Sequence, residues 1–335
     1  MEKTFIIGEI AQAHEGSLGI AHSYIDSLAS CGVDAVKFQT HIAAAESSNS
    51  EKFRVRFSYE DGTRFDYWKR MEFSLEQWKG LKKHCDEVGL EFMSSPFSCS
   101  AVDLLEKVGV QKYKIGSGEI SNYLMLAKIA RTGKPIILSS GMSDYKELDE
   151  SIDFLKPFGN ELSLLQCTTA YPTQPKEWGV KEIPKLKKRY EIPVGYSDHS
   201  SDKTACIAAK ALGAEILEFH TVFDKNMFGP DAKASLTPLE ITDLVKSIRK
   251  LEKSMSCNTE KRDMSSFKDL KILFGKSLAV NKNLSKGHIL TFEDLESKKP
   301  ANMGIKAKDF LSVIGKELIT PLSQWEFLKP EDIKL

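Results

Sequence analysis

The chain has 335 residues, 41% of them hydrophobic and 28% charged, which is the balance of a globular protein with room for one large domain and one small one. Lys+Arg and Asp+Glu each number 47, so there is no basic excess to suggest nucleic acid and no acidic tail. Six scattered cysteines without a CxxC pair predict free thiols in a reducing compartment. The N-terminus lacks an apolar leader and no run reaches membrane length, so the protein is expected to be cytoplasmic, with no membrane partner.

Short apolar runs alternate with amphipathic ones along the chain. Strands are predicted over residues 4–11, 35–40, 91–97, 112–117, 135–141, 162–167, 194–199 and 215–220. Helices are predicted over 18–30, 75–88, 100–107, 124–131, 145–155, 205–211 and 237–254. Eight strands alternating with helices over about 250 residues predict an α/β fold, the (β/α)8 barrel. A doubly wound open sheet is the alternative, but the first turn, GEIAQAHEGS, has no GxGxxG phosphate loop.

Two connections are long, 41–72 and 168–185. The first is rich in Arg and aromatic residues (FRVRFSYEDGTRFDYWKRM), and both are expected to shape a pocket. After residue 254 the pattern breaks. The boundaries predicted are a barrel domain over 1–256, a polar linker over 257–275 and a small β-rich unit over 276–335, with turns at Lys286-Gly287 and Ile314-Gly315. About sixty residues make only a marginal core, so this unit is expected to lean on the barrel or on a partner.

In such a barrel the C-terminal strand ends form the active face. Strand one brings Glu9, strand two Lys37 and Gln39, strand three Ser95, strand four Lys114, Ser117 and Glu119, and strand five Ser139. Strand six leads to Thr169 and Tyr171, strand seven ends at Ser197 and His199, and strand eight carries Glu218 and His220, with Asp231 in its loop. His199 and His220 end neighbouring strands and suit one divalent metal. Lysines, hydroxyls and glycines in one mouth suit an oxyanion with many acceptors, such as phosphate. Lys37 and Lys114 lie within apolar runs, and a buried lysine needs an anion, either a neighbouring carboxylate or a bound substrate.

The stretches GEIAQAHEGS, VKFQTH, SSPFS, YKIGSGE, KPIILSSGM, CTTAYPT, GYSDHS, LEFHT and GPDAKASL run in order from residue 8 to residue 236. With KGHIL, FEDL and KKP near the C-terminus, the chain resembles the sialic acid (N-acetylneuraminate) synthase family over nearly its whole length. The resemblance implies a barrel followed by an antifreeze-like domain. It also implies condensation of phosphoenolpyruvate with N-acetylmannosamine, releasing phosphate. His199 and His220 would hold Mn²⁺, or Mg²⁺ or Co²⁺. Ser95, Lys114, Ser117, Ser139, Thr169, Tyr171 and Ser197 would contact phosphoenolpyruvate, with Lys37 and Gln39 close by. Glu119 would sit over the enol carbon, and Glu9 and Asp231 would face the amino sugar. The antifreeze-like domain would cover the other subunit's site in a domain-swapped homodimer.

The chain departs from the family pattern at Ala13, Phe38, Thr169 and Lys299. Lys299 stands where many members have an Arg that reaches from the second subunit to the sugar's acyl group, and a lysine cannot copy a bidentate guanidinium. That change keeps a 2,4-diacetamido-2,4,6-trideoxy hexose, giving a legionaminic-type acid, as a rival substrate. A 6-phosphorylated sugar would want extra cations, for which Arg54, Arg56, Arg64 and Arg70 are candidates. A non-catalytic sugar-binding protein is the remaining reading, disfavoured by the presence of Lys114, Glu119, His199 and His220 together.

Overall fold

The computed structural model describes residues 3–55, 59–257 and 263–334. Two compact units are present, Met1–Cys257 and Asn258–Leu335.

In the first unit the strands are β1 (Phe5–Ala11), β2 (Ala35–Thr40), β3 (Glu91–Pro96), β4 (Tyr113–Ile115), β5 (Ile136–Ser139), β6 (Leu162–Cys167), β7 (Val194–Asp198) and β8 (Ile216–His220). They are ordered β3-β2-β1-β8-β7-β6-β5-β4, and every pair is parallel. The β1–β8 ladder joins the first strand to the last. β3 and β4 pack side by side without a ladder, because β4 is only three residues long before the chain turns away. The result is the expected barrel, nearly closed.

The helices are α1 (Leu18–Cys31), α2 (Ala43–Glu46), α3 (Arg64–Met71), α4 (Leu75–Glu87), α5 (Cys99–Val108), α6 (Tyr123–Ala130), α7 (Tyr145–Leu155), α8 (Glu182–Tyr190), α9 (Lys203–Ala211) and α10 (Pro238–Ser256). Their ends obey local chemistry. Ser17 and Ser98 accept from Ile20 N–H and Ala101 N–H at the starts of α1 and α5, and Gly32 and Gly109 take left-handed φ of 80° and 86° at their ends. Between strands and helices lies the main core, in which Tyr24, Phe38, Trp78, Tyr113, Tyr196 and Phe219 are fully buried.

Strand periodicity builds the barrel interior in layers. Ile7, Ala35, Met93, Ile137, Leu165 and Ile216 form an apolar plug inside the barrel. Side chains two residues apart on a strand share a face. The next inward residues toward the C-terminal ends are therefore Glu9, Lys37, Ser95, Ser139, Cys167 and Glu218, and one step further come Gln39, Gly141, Thr169 and His220. Register sets these side by side: Glu9 is level with Lys37 and with His220, and Ser197 with Cys167 and Glu218.

Four helices differ from the sequence reading. α2 and α3 lie inside the long second connection, α3 started by a capping box between Thr63 and Asp66. α8 carries Pro184 in its first turn, where the missing N–H costs nothing. In the second unit, α11 (Lys268–Phe274) occupies part of the stretch read as linker, while residues 258–262 of that stretch lie outside the described residues.

The second unit pairs β9 (Ser277–Val280) with β10 (Leu295–Lys298) in antiparallel fashion. Leu278, Val280, Leu284, Leu290, Val313, Leu318, Leu322 and Leu328 make its core. Gly287 and Gly315 adopt φ of 89° and 79° at the two predicted turns. Asp294, buried beneath them, is bound by Lys282, His288 and Thr291.

Candidate active site

The strand ends open into a cleft of about 360 Å³. Of the residues singled out from the sequence, Lys37, Gln39, Ser95, Lys114, Ser117, Ser139, Thr169, Tyr171, Ser197, His199, His220 and Asp231 all line it. The fold therefore gathers twelve positions, spread over nearly two hundred residues of chain, into one mouth.

The floor is a buried cluster of four charges. Lys37 is ion-paired with Glu9, lies 3.7 Å from Glu218 and donates to Ser95 Oγ at 3.3 Å. Lys114 lies 3.6 Å from the same Glu218 oxygen and donates to the Ile115 carbonyl at 3.2 Å. Ser197 Oγ also donates to that oxygen, at 3.2 Å. Burial opposes ionisation of Glu218, but Lys114 and Lys37 outweigh it and hold the carboxyl down to about 2. Burial pushes Glu9 up to about 7 against the pull of Lys37. For Lys37, burial is overcome by Glu218 and Glu9, which raise its pKa, whereas for Lys114 burial prevails and lowers it. Lys37 thus has its anions within the protein. Lys114 is the under-compensated cation, and it faces the cleft.

Lys114 shares the cleft with the hydroxyls of Ser95, Ser117, Ser139, Thr169 and Ser197. Gly141 N–H donates to Ser117 Oγ at 3.0 Å. A Cβ at Gly141 would lie 2.2 Å from Thr169 Oγ1 and 2.5 Å from Ser117 Oγ, so only glycine lets these groups converge.

His199 and His220 stand with ring centroids 5.2 Å apart. His199 Nδ1 lies 3.0 Å from the Thr168 carbonyl, which fixes the proton there and turns Nε2 to the cleft. That is the support a metal-ligating imidazole receives from its surroundings. Burial, then the charges of His199 and Lys37, lower the His220 pKa far below the usual range and keep that ring neutral. Burial opposes protonation of His199, but Cys167 and the Thr168 carbonyl outweigh it and raise its pKa to about 9, so a metal there would have to displace a proton. Among the described residues no group of three or more His, Cys, Asp and Glu is arranged to hold a metal. The two imidazoles offer at most two nitrogen ligands, so a divalent ion held there would take the rest of its shell from water or substrate.

Two residues stand elsewhere than the sequence suggested. Glu9 does not face the cleft. It is 1% exposed, beneath Lys37 and Gln39, and accepts from Gln39 Nε2 at 3.0 Å. Glu119 is not among the cleft residues either. It ends a 3₁₀ turn (Ser117–Glu119) in which successive side chains point about 120° apart, so that Ser117 and Glu119 are directed differently. Its carboxylate accepts from Asn122 Nδ2 at 2.8 Å and lines a neighbouring groove with Glu46 and Leu124. Lys299 belongs to the second unit, where its ammonium lies 5.0 Å from the Phe274 ring centre.

The structure gives weight to Glu218 and Cys167, to which the sequence gave no role, and places the arginines of the second connection. Glu218 was noted only as a strand end, yet it ties the two lysines together. Cys167 lies 3.8 Å from His199 Nδ1. At the mouth, Arg54 donates to Asp231 at 2.8 Å and stacks over Tyr171 at 4.3 Å. Arg64 lies over Trp68 at 4.1 Å with Glu51 at 3.4 Å, and Arg70 is held by Asp61 and Glu15 at 2.8 and 2.9 Å. Arg56 lies outside the described residues.

Residues 24–260 match the NeuB family and residues 275–334 match the SAF domain. The chain is 38% identical to the N,N'-diacetyllegionaminic acid synthase of Campylobacter jejuni, over 94% of this chain and 96% of that protein. It is 33% identical to the N-acetylneuraminate-9-phosphate synthase of Homo sapiens, over 98% and 92%. The crystal structure of an N-acetylneuraminic acid synthetase from Leptospira borgpetersenii superposes with a TM-score of 0.70 at 28% identity, covering 81% of this chain and 91% of that one.

Proposed function

The chain belongs to the NeuB family of sugar acid synthases, and on that footing we propose that it condenses phosphoenolpyruvate with an N-acetylated amino sugar, releasing phosphate and forming a nonulosonic acid. The observation that carries this reading is Lys114, a buried ammonium short of anions that shares a sugar-sized cleft with serine and threonine hydroxyls. Lys114, Ser95, Ser117 and Ser139 bind the phosphate, and Lys37 and Gln39 steady the carboxylate. Glu9, with a proton affinity near neutrality, holds or yields a proton through Lys37 rather than by touching the sugar. Asp231, fixed by Arg54, faces the sugar hydroxyls. His199 and His220 would hold a divalent metal such as Mn²⁺, which when bound supplies Lewis-acid polarisation of the aldehyde oxygen. Binding both substrates in one cleft replaces an encounter by a held geometry.

The sugar is read as an unphosphorylated one. Among the described residues, Arg54, Arg64 and Arg70 each already face a carboxylate, which leaves them poorly placed for a second phosphate. Tyr67, Trp68, Phe97, Met142 and Pro230 give the cleft an apolar wall that suits the methyl group of a 6-deoxy sugar. Together with the legionaminic relative, this favours a 2,4-diacetamido-2,4,6-trideoxy hexose, with N-acetylmannosamine the second reading. The protein is further proposed to work in the cytoplasm as a domain-swapped homodimer, without nucleic acid or membrane partners. Exposed Phe267, Leu270, Leu273 and Phe274, around α11, offer apolar surface for such an assembly, and Lys299 would then serve the partner's cleft.

The test is metal-stripped protein with phosphoenolpyruvate, Mn²⁺ and a panel of sugars, reading phosphate release and product mass. Release with the diacetamido sugar alone is expected. Release with N-acetylmannosamine alone would move the assignment to the second reading, and release with no sugar would overturn the reaction.

A further inference from the structure

A run of polar contacts leaves the cleft floor and ends in the neighbouring groove. At the floor, Gln39 Nε2 donates to Glu9 at 3.0 Å. The Gln39 oxygen is then turned to Gln12, which must offer its own NH₂ in return. The second N–H of that same nitrogen lies 3.0 Å from His41 Nε2. Nε2 also lies 3.2 Å from the Gln39 oxygen, so this one ring nitrogen touches both amides. At the other end, His41 Nδ1 lies 2.7 Å from Glu46. Glu46 cannot swing away, because its second oxygen accepts from Ile42 N–H at 3.2 Å. Nor can the ring turn, being stacked on Trp68 at 3.8 Å and on Phe97 at 4.4 Å.

We propose that His41 is a positioning residue, whose two ring nitrogens fix which way the Gln12 and Gln39 amides face at the cleft floor. Gln12 and Gln39 both line the cleft, and His41 acts on substrate only through them. An amide has no intrinsic preference between its two flipped forms. Without a ring nitrogen at position 41, Gln12 loses one of the two polar partners of its NH₂, and Gln39 loses one of the two that face its oxygen. Gln39 then no longer holds a single orientation toward Glu9, or toward a bound carboxylate. This role rests on the reading of the cleft as a phosphoenolpyruvate site.

Two substitutions separate orientation from packing. His41→Phe keeps a ring between Trp68 and Phe97 and removes both nitrogens. His41→Gln keeps an acceptor and a donor and removes the ring. Positioning predicts a split in KM, read on the full-length protein. His41→Phe raises KM for phosphoenolpyruvate roughly three- to ten-fold, the worth of one such hydrogen bond, and also melts lower because Glu46 is left without its partner. His41→Gln loses the stack on Trp68 and Phe97 and melts lower too, while its KM stays nearer wild type. Should KM be unchanged in His41→Phe, or rise equally in both variants, His41 would be packing only and the proposal overturned. Wild-type protein that releases no phosphate from phosphoenolpyruvate would overturn the reaction itself, and the role of His41 with it.

Discussion

The Tyr171 hydroxyl lies 3.2 Å from His199 Nε2, on the side of the ring that faces the cleft. Because the Thr168 carbonyl holds Nδ1–H, Nε2 of the neutral ring has a single lone pair, and the phenol proton and a metal ion cannot both use it. Tyr171→Phe is therefore expected to tighten Mn²⁺ binding by roughly three- to ten-fold, the worth of one neutral hydrogen bond. Calorimetry without substrate reads this directly. His199→Ala should abolish the same signal, and unchanged affinity in Tyr171→Phe would show that the phenol does not compete.

Glu218 carries the floor. Replacing it with Gln leaves Lys37 and Lys114 facing the single carboxylate of Glu9, and breaking a buried charge cluster in this way costs about 3–5 kcal/mol. The sign with pH follows from its depressed pKa. Lys114 and Lys37 hold the folded value below an ordinary 4.5, so its stabilisation is complete above 4.5 and is lost as pH falls through the depressed folded value. Glu9, raised in part by Glu218, changes its own titration when Glu218 is replaced, so the clean window lies below pH 4.5. There the gap between thermal melts of wild type and Glu218→Gln should shrink as pH falls. A gap that widened below an ordinary 4.5 would contradict this assignment.

Much of this architecture could be read from the chain, and the parts that could not have physical reasons. Strand periodicity fixes which residues face inward, so Lys37, Ser95, Ser139, Ser197 and His220 were legible as soon as their strands were. Glu218 occupies the same kind of position, but its importance is relational: it matters because Lys37 and Lys114, from two other strands, converge on it. Glu119 is harder to read: it follows β4 in sequence, but a 3₁₀ turn sets it in the groove beside the cleft, and no periodicity signals that placement. The Thr63–Asp66 box that starts α3 was visible in the sequence but masked by the loop-like composition around it.

Lys114→Met separates binding from stability. The substitution leaves Glu218 with Lys37 at 3.7 Å, and Glu9, pushed up to about 7, can take up a proton, so no carboxylate is stranded. The melting temperature should change little. Phosphate release from phosphoenolpyruvate should fall by about a hundred-fold or more, the usual loss when a preorganised donor is removed from a developing anion. An inactive protein that had also unfolded would instead mark Lys114 as structural.

Gly141 offers a steric test of these hydroxyls. An alanine methyl there would meet Thr169 Oγ1 at 2.2 Å, Ser117 Oγ at 2.5 Å and Cys167 Sγ at 2.9 Å, all inside contact distance. The backbone at Gly141 cannot retreat freely, since its N–H is held by Ser117 and its carbonyl accepts from Thr169 N–H at 3.4 Å. The side chains must yield instead, which pulls two hydroxyls off the phosphate position. Gly141→Ala should therefore raise KM for phosphoenolpyruvate about ten-fold or more, alongside an overpacking cost of about 1–3 kcal/mol. Gly80 provides the matched control: it lies within α4, and a Cβ there meets nothing within 4 Å. Gly80→Ala should leave KM unchanged and add about 0.5–1 kcal/mol of stability through helix propensity and a less free unfolded chain. If the two alanine variants behaved alike in KM, the convergence of Ser117 and Thr169 around Gly141 would have no part in binding.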